Sequence, residues 1–271
     1  MVWLKMPKSP TMNKYWYEMI AVGQRILLEL VRHRRSLILW TIFPISILLL
    51  NGLILAEGNK ISLKQAFELT TPSTLVGAAL FFSCLGGTIS TIVSERESHT
   101  IKRLLISPLS GISYYLGIFL AYGCIGLGQT ILVYAVAAWF GVSFTGSWWW
   151  GLLVVFLTIA SYVGAGFMLG TNFAHRVEDV NGLVAGVGVP LLILGGAFFP
   201  TSFLSKELLL IAQFNPVYHM NEALSGFSTG NKAWDHADML IHLRFLLGFF
   251  LVAIAGGWLA YGQMLDQEKS L

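Results

Sequence analysis

The residues able to do chemistry are few and crowded together. Charged side chains make up 11% of the 271 residues, against 55% hydrophobic. Yet Glu95, Arg96, Glu97, His99, Lys102 and Arg103 share one short stretch between two long uncharged runs. Two carboxylates beside an imidazole raise acid–base or metal chemistry. Their spacing gives neither the two-histidine helical zinc pattern nor a paired-carboxylate site. His175, His219, His236 and His242 are expected in different connections on opposite membrane faces, so no metal site is expected. Gly226-Phe227-Ser228-Thr229-Gly230-Asn231-Lys232 approximates a phosphate loop. It lacks the Gly-x-x-x-x-Gly-Lys-Ser/Thr spacing, and Ala233 offers no hydroxyl to magnesium. Neither an ATP site nor an intramembrane enzyme is expected on this chain.

The order of the charged stretch points to a surface instead. Ser94 with Glu97 three residues on reads as an N-cap box, with the carboxylates in the first turn and Lys102 and Arg103 in the last. Pro108 biases Ser107 out of the helical region and ends the helix. A short capped helix from Ser94 to Ser107, held at one side of a membrane, suits a surface that takes force from a partner.

The elements that must position it are apolar. Mean hydropathy is +0.69, which places the chain among all-α polytopic membrane proteins. A bilayer core about 30 Å thick needs about 20 apolar residues per helix. Such runs lie between Arg35 and Glu57 and between Glu68 and Glu95. Leu104 to His175 carries no Asp, Glu, Lys or Arg, and the Gly/Ser-rich stretch from Gly141 to Ser147 splits it into two spans. A fifth run follows Asp179 and ends near Pro200, and a sixth runs from Arg244 to before Asp266. The expectation is a six-span domain over 36–271, an amphipathic interfacial helix over 13–35 and a cytoplasmic arm over 1–12.

Twelve Lys and Arg fall on one side of this topology, and only Lys60, Lys64, Lys206 and Lys232 on the other. The positive-inside rule puts both termini in the cytoplasm. Anchoring beside anionic lipid explains the basic N-terminus, so lipid and not nucleic acid is the expected partner there. The first apolar run follows an arginine cluster and is too long for a signal-peptide core, so no signal peptide is expected. Cys84 and Cys124 fall inside spans and read as packing residues.

Trp16, Met19, Ile20, Gly23, Leu27, Leu30 and Val31 form the apolar stripe of the interfacial helix, with Glu18, Gln24, Arg25 and Arg32 off it. Gly164, Gly166 and Gly170, and Gly182, Gly186 and Gly188, suit close helix approach in lipid. Asn51, Ser83, Thr88, Thr91 and Gln129 read as interhelical hydrogen-bonding groups. No charge lies deep in a span, which disfavours a proton-coupled carrier or ion channel. After the fifth span, Phe203 to Phe214 is too short and polar to cross and reads as a re-entrant hairpin at the outer face, closed by Asn215-Pro216. Trp148, Trp149 and Trp150 mark the outer interface.

Two segments carry a family resemblance over most of the chain. Glu95-Arg96-Glu97, Thr100 to Leu105 and Ser107-Pro108 resemble the E-R-E-x-x-T-x-x-x-L-L-x-x-P stretch of the type-2 ATP-binding-cassette (ABC) exporter permeases. Gly195 to Pro200, Ile211-Ala212, Asn215-Pro216-Val217 and Glu222-Ala223-Leu224 resemble its G-x-x-F-P, I-A, N-P and acidic-Ala-Leu elements. Ser98-His99 departs from a glycine next to threonine, Lys102 from an acidic residue, and Ser225 from a frequent arginine.

The resemblance implies a permease of the bacterial inner membrane, paired with a second copy or close paralogue above two cytoplasmic ABC ATPase chains that bind the ATP and magnesium. Glu95, Arg96, Glu97, Thr100, Arg103 and Leu104 would then form the ATPase-coupling helix. Phe81, Phe82, Ser83, Val184, Val187, Phe198 and Phe199 would line a path along spans 2 and 5. Pro200, Asn215, Pro216 and Glu222 would form the outer gate. The absence of charge and the supply of aromatics favour export of an amphiphilic or hydrophobic compound such as a drug-like molecule, lipid or glycolipid. The alternatives are polysaccharide or lipid-linked glycan export, or a non-transporting membrane anchor or assembly protein.

Overall fold

The apolar runs become six helices long enough to cross a membrane. The computed structural model describes residues 12–32, 34–107, 109–174, 176–198, 201, 204–229 and 236–270, and no strand occurs among them. Helix α1 spans Met12–Arg32. The spans are α2 (Arg34–Asn59), α3 (Leu63–Glu97), α5 (Gly111–Trp139), α6 (Trp148–Asn172), α7 (Val177–Leu194) and the Met239–Asp266 part of α10 (His236–Ser270). Between α3 and α5 sits the one-and-a-half-turn helix α4, Thr100–Leu105, and between α7 and α10 sit α8, Lys206–Ala212, and α9, Pro216–Thr229. The alternating direction of the spans gathers Arg34, Arg96, Lys102, Arg103 and Arg176 at one end, called here the basic end.

Span 2 is the axis of the protomer: 83% of its most apolar stretch is buried, against 17% for spans 1 and 5 and 11% for span 6. It opens on a capping box, in which the Ser62 hydroxyl accepts from the Gln65 N–H and the Gln65 side chain accepts from the Ser62 N–H. It continues unbroken through Ser94 because Ile89, Ile92 and Val93 still face the core. The expected N-cap at Ser94 is therefore incorrect: Ser94 is mid-helix, and the chain breaks only after Glu97, where His99 takes a left-handed φ of 53°. The helix of the last span also begins earlier than expected, at His236, about two turns before Arg244.

Glycines let span 4 reach its neighbours. A Cβ on Gly164 would lie 2.7 Å from the Ala253 carbonyl of α10, and one on Gly166 2.8 Å from Thr88 of α3. Both approaches fit small-residue crossings in lipid. Gly182 and Gly186 of span 5 meet nothing within 4 Å, so their stretch of α7 is uncovered in a single chain.

The expected arm over 1–12, Met12 excepted, lies outside the described residues. Helix α1 packs along α5, where a Cβ on Gly117 would meet Val22 at 2.6 Å. Its inward face is Glu18, Val22, Gly23 and Ile26, while Trp16 and Val31 of the expected stripe are exposed. The stripe is rotated because Glu18 and Arg25 have buried partners. Of the in-span polar groups, Thr91 alone among Ser83, Thr88 and Thr91 bonds across helices, to the Tyr122 hydroxyl at 2.7 Å. Ser83 and Thr88 donate to Ala79 and Cys84 carbonyls of their own helix.

Candidate functional site: two junctions at the ends of the bundle

At the basic end, three consecutive residues hold four other elements. Successive helical positions differ by 100°, so Glu95, Arg96 and Glu97 leave α3 in three directions. Glu95 is 6% exposed. One of its carboxylate oxygens accepts from the Arg25 guanidinium of α1 and the other from the Tyr114 hydroxyl of α5. Arg96 donates to the carbonyls of Thr171 (3.1 Å), Gly170 and Ala174 (both 3.5 Å) at the end of α6. A cation at those orphan carbonyls both caps the helix and complements its dipole. Glu97 accepts from the Val177 N–H at 3.3 Å, at the start of α7. Glu18 adds a fourth tie, accepting from the Ser110 N–H at 3.1 Å ahead of α5.

The turn beyond is what the junction presents. Glu97, Ser98, His99 and Arg103 are exposed, and Ile106 is 88% exposed. Arg103 donates to the Ser98 carbonyl at 3.1 Å, and the Ser98 and Thr100 hydroxyls lie 2.9 Å apart. Helix α4 is held from below by Ile101, fully packed, and Leu104, half-buried. Beside these two, a cavity of about 230 Å³ opens between α4, the start of α5 and the end of α10, with Tyr114 and Tyr261 in its wall. Pro108 lies outside the described residues. The six residues singled out in the sequence thus divide: Glu95 and Arg96 face inward, Glu97 and Arg103 face out, and Thr100 and Leu104 lie between.

Five of the candidate path residues, Phe81, Phe82, Ser83, Val184 and Val187, lie on two wide, π-helical segments, Leu75–Gly86 in span 2 and Val184–Gly188 in span 5. Such turns recur at functional sites. The Phe81 ring fills the space that a Gly188 side chain would occupy and meets Phe82 and Tyr162 edge-on. Phe81 and Ser83 are buried, Phe82, Val184 and Phe198 are half-buried, and Val187 is 51% exposed. Phe199 lies outside the described residues.

At the far end, asparagines close the fifth span. Asn215 donates to the Leu191 carbonyl at 2.6 Å, and its side-chain oxygen accepts from the Val217 N–H at 3.0 Å. Pro216 opens α9, where its missing N–H costs nothing. Asn221 donates to the Gly195 and Gly196 carbonyls at 3.4 and 3.2 Å. Glu222 accepts from the Thr201 hydroxyl at 3.2 Å, and burial raises its carboxyl above the ordinary value while that hydrogen bond opposes the rise. Pro200 lies outside the described residues. The hairpin is two helices rather than one: α8, capped by Ser205, and α9.

One expectation is overturned here. His219 of α9 and His242 of α10 are not on opposite faces but touch, Nδ1 to Nδ1 at 2.8 Å. The sequence reading also missed Arg25 and Asn221, whose partners are 70 and 25 residues away. Among the described residues no three His, Cys, Asp or Glu side chains converge as metal ligands. His175 and residues 230–232 of the phosphate-loop-like stretch lie outside the described residues.

A bundle of six helices long and apolar enough to cross a membrane, with its ion pairs and helix caps at the two ends, is a polytopic membrane protein in architecture. The chain belongs to the family described as ABC-2 family transporter protein, whose profile matches residues 59–259. It is similar to the inner membrane transport permease YadH of Escherichia coli (strain K12), with 23% identity over 253 residues, covering 89% of this chain and 94% of that protein. The Shigella flexneri protein of the same name matches with the same identity and coverage. Members of this family are non-catalytic membrane subunits of ABC transporters, which implies association with ABC ATPase subunits.

Proposed function

We propose that this chain is the inner-membrane permease subunit of an ABC exporter, with both termini and the basic end in the cytoplasm. Two ATPase chains dock below a pair of permeases, the second being a copy or close paralogue, and supply the ATP and magnesium chemistry. The exposed turn from Glu97 to Ile106 is the docking surface, with Arg103 and Ile106 as its anchors. The single observation that carries this reading is the fan of Glu95, Arg96 and Glu97. A push on the turn is passed to α1 and α5 through the buried Glu95 carboxylate, which cannot slip without leaving a charge unpaired, to α6 through the half-buried Arg96, and to α7 through the exposed Glu97. The inward Glu95 and Arg96 therefore transmit, while the outward residues receive.

The cargo is an amphiphilic or hydrophobic compound, supported by the apolar candidate path at Phe82, Val184 and Val187 and by the uncovered face of span 5. The paired permease covers that face, and lipid meets the apolar outer surfaces of spans 1 and 6. Polysaccharide or lipid-linked glycan export is the second reading, favoured by the aromatic supply at Phe81, Phe82 and Phe198.

The test is ATPase stimulation in the co-purified complex. Arg103→Glu and Ile106→Asp are expected to reduce stimulation about tenfold or more, since disrupting a buried interface anchor costs about 1.4 kcal/mol or above, with an unchanged thermal midpoint. Full stimulation in both variants overturns the docking surface. Failure of any ATPase to co-purify favours the anchor reading.

A further inference from the structure

We propose that His219 and His242 form a proton-sensitive latch that fastens the far-end hairpin to the sixth span. The pair joins α9, which belongs to the hairpin, to α10, which is the span. Its geometry fixes where the protons sit. The His219 Nε2 lies 2.8 Å from the Gln213 carbonyl oxygen, and a carbonyl only accepts, so this nitrogen carries the hydrogen. Neutral His219 then has a bare Nδ1, and the 2.8 Å approach requires His242 to donate its Nδ1–H. A first proton fits on the His242 Nε2 without disturbing this bond. A second has no place: both Nδ1 atoms would carry hydrogen across the same gap, between two positive rings. The bond holds with no proton or one, and breaks with two.

The surroundings keep His219 neutral. It is 4% exposed, and its ring stacks on Phe245 with centroids 3.9 Å apart. Tyr218 meets both imidazoles edge-on. Burial lowers the His219 pKa from its ordinary value of 6.5, with the Gln213 carbonyl opposing. Among the described side chains, Tyr218 is the titratable group in ring contact with both histidines. On α9 itself Glu222 is bonded to Thr201, and on the elements packed against it Glu68 pairs with Lys64 on α3 and Arg244 points outward on α10. The side chains of His236 and Asp238 lie outside the described ones.

Acid therefore favours the open hairpin. Once opened, His219 returns to about 6.5, and the closed state holds it lower, so the open state binds more protons in acid. Closure is complete above pH 6.5 and is lost as pH falls below it. On the orientation proposed above, the latch faces outside the cytoplasm and responds to that compartment.

The test is amide hydrogen exchange of residues 216–229 in the full chain, purified in detergent with EDTA, between pH 7.5 and 5.5 and corrected for intrinsic rates. It requires neither an ATPase nor a cargo. One pH unit below 6.5 permits a loss of protection of up to about tenfold in the wild type. His219→Phe keeps the ring on Phe245 without a titrating nitrogen and is expected to hold its protection flat. His242→Gln is expected to flatten it as well, because a flipped amide offers an acceptor to charged His219. Glu222→Gln is expected to keep the wild-type loss or deepen it, because the carboxyl it removes has the opposite slope. A flat wild-type profile, or the same loss in both histidine variants, overturns the latch.

Discussion

His99 is, with Lys60, one of two non-glycine residues with a left-handed φ among the described residues. Its φ of 53° is left-handed, and a residue with a Cβ gives up about 1–2 kcal/mol there relative to glycine. The family pattern has its glycine at this position, beside Thr100, and the geometry explains why: the turn that swings α4 back from α3 requires that φ. His99→Gly is expected to raise the thermal midpoint by about 2–4 °C for a gain near 1 kcal/mol, read by a melting curve in detergent. Arg25 and Glu95 make a second residue-scale case. Arg25→Ala leaves Glu95 buried beside Tyr114 alone, an expected loss of about 1–3 kcal/mol. A double-mutant cycle with Glu95→Gln is expected to show the two costs strongly non-additive.

Elements here are located by small residues more than by hydrophobic faces. In lipid, apolar burial gives no preference for one helix face over another, so backbone approach at glycine decides the crossings. Gly166→Leu has to displace Thr88 and the Leu85 carbonyl, which lie 2.8 and 3.0 Å from the added Cβ. An overpacking cost of about 1–3 kcal/mol is expected, seen as a lower midpoint. Gly123→Leu, at a position of span 3 with nothing within 4 Å, is expected to leave the midpoint unchanged. Equal effects at the two positions would remove the close crossing of spans 2 and 4 as an organising feature.

Across the whole molecule, the far-end junction carries two groups that respond to pH in opposite directions. Burial raises the Glu222 carboxyl above its ordinary 4.5, so the folded chain favours its protonated form. The stability from that proton is complete below pH 4.5 and is lost as pH rises through the raised value. Glu222→Gln is therefore expected to melt higher than wild type at pH 8 and level with it near pH 4. His219 has the opposite slope, which lets melting curves of the two variants separate the groups. At the basic end the Arg25–Glu95 pair is buried on its carboxylate side, so its response to salt is expected to be small.

Length and apolarity by themselves determined the six spans, because a bilayer crossing needs a set number of apolar residues. Charge order and proline marked a short helix after span 2, though not its start, and the break at Asn215-Pro216. The motif positions from Glu95 to Glu97 were legible as important, but as a docking surface alone. Only the tertiary structure decided that Glu95 and Arg96 turn inward, since that depends on Arg25, Tyr114 and the end of span 4, far away in the chain. It also decided the rotation of α1, where Glu18 and Arg25 override the apolar stripe. Ser94 was misread as a cap because a Ser-x-x-Glu pattern is local, whereas the continuation of α3 rests on Ile89, Ile92 and Val93 packing in the core. The pairing of His219 with His242 had no local signal at all: two single histidines on separate helices meet only once the hairpin folds back onto the last span.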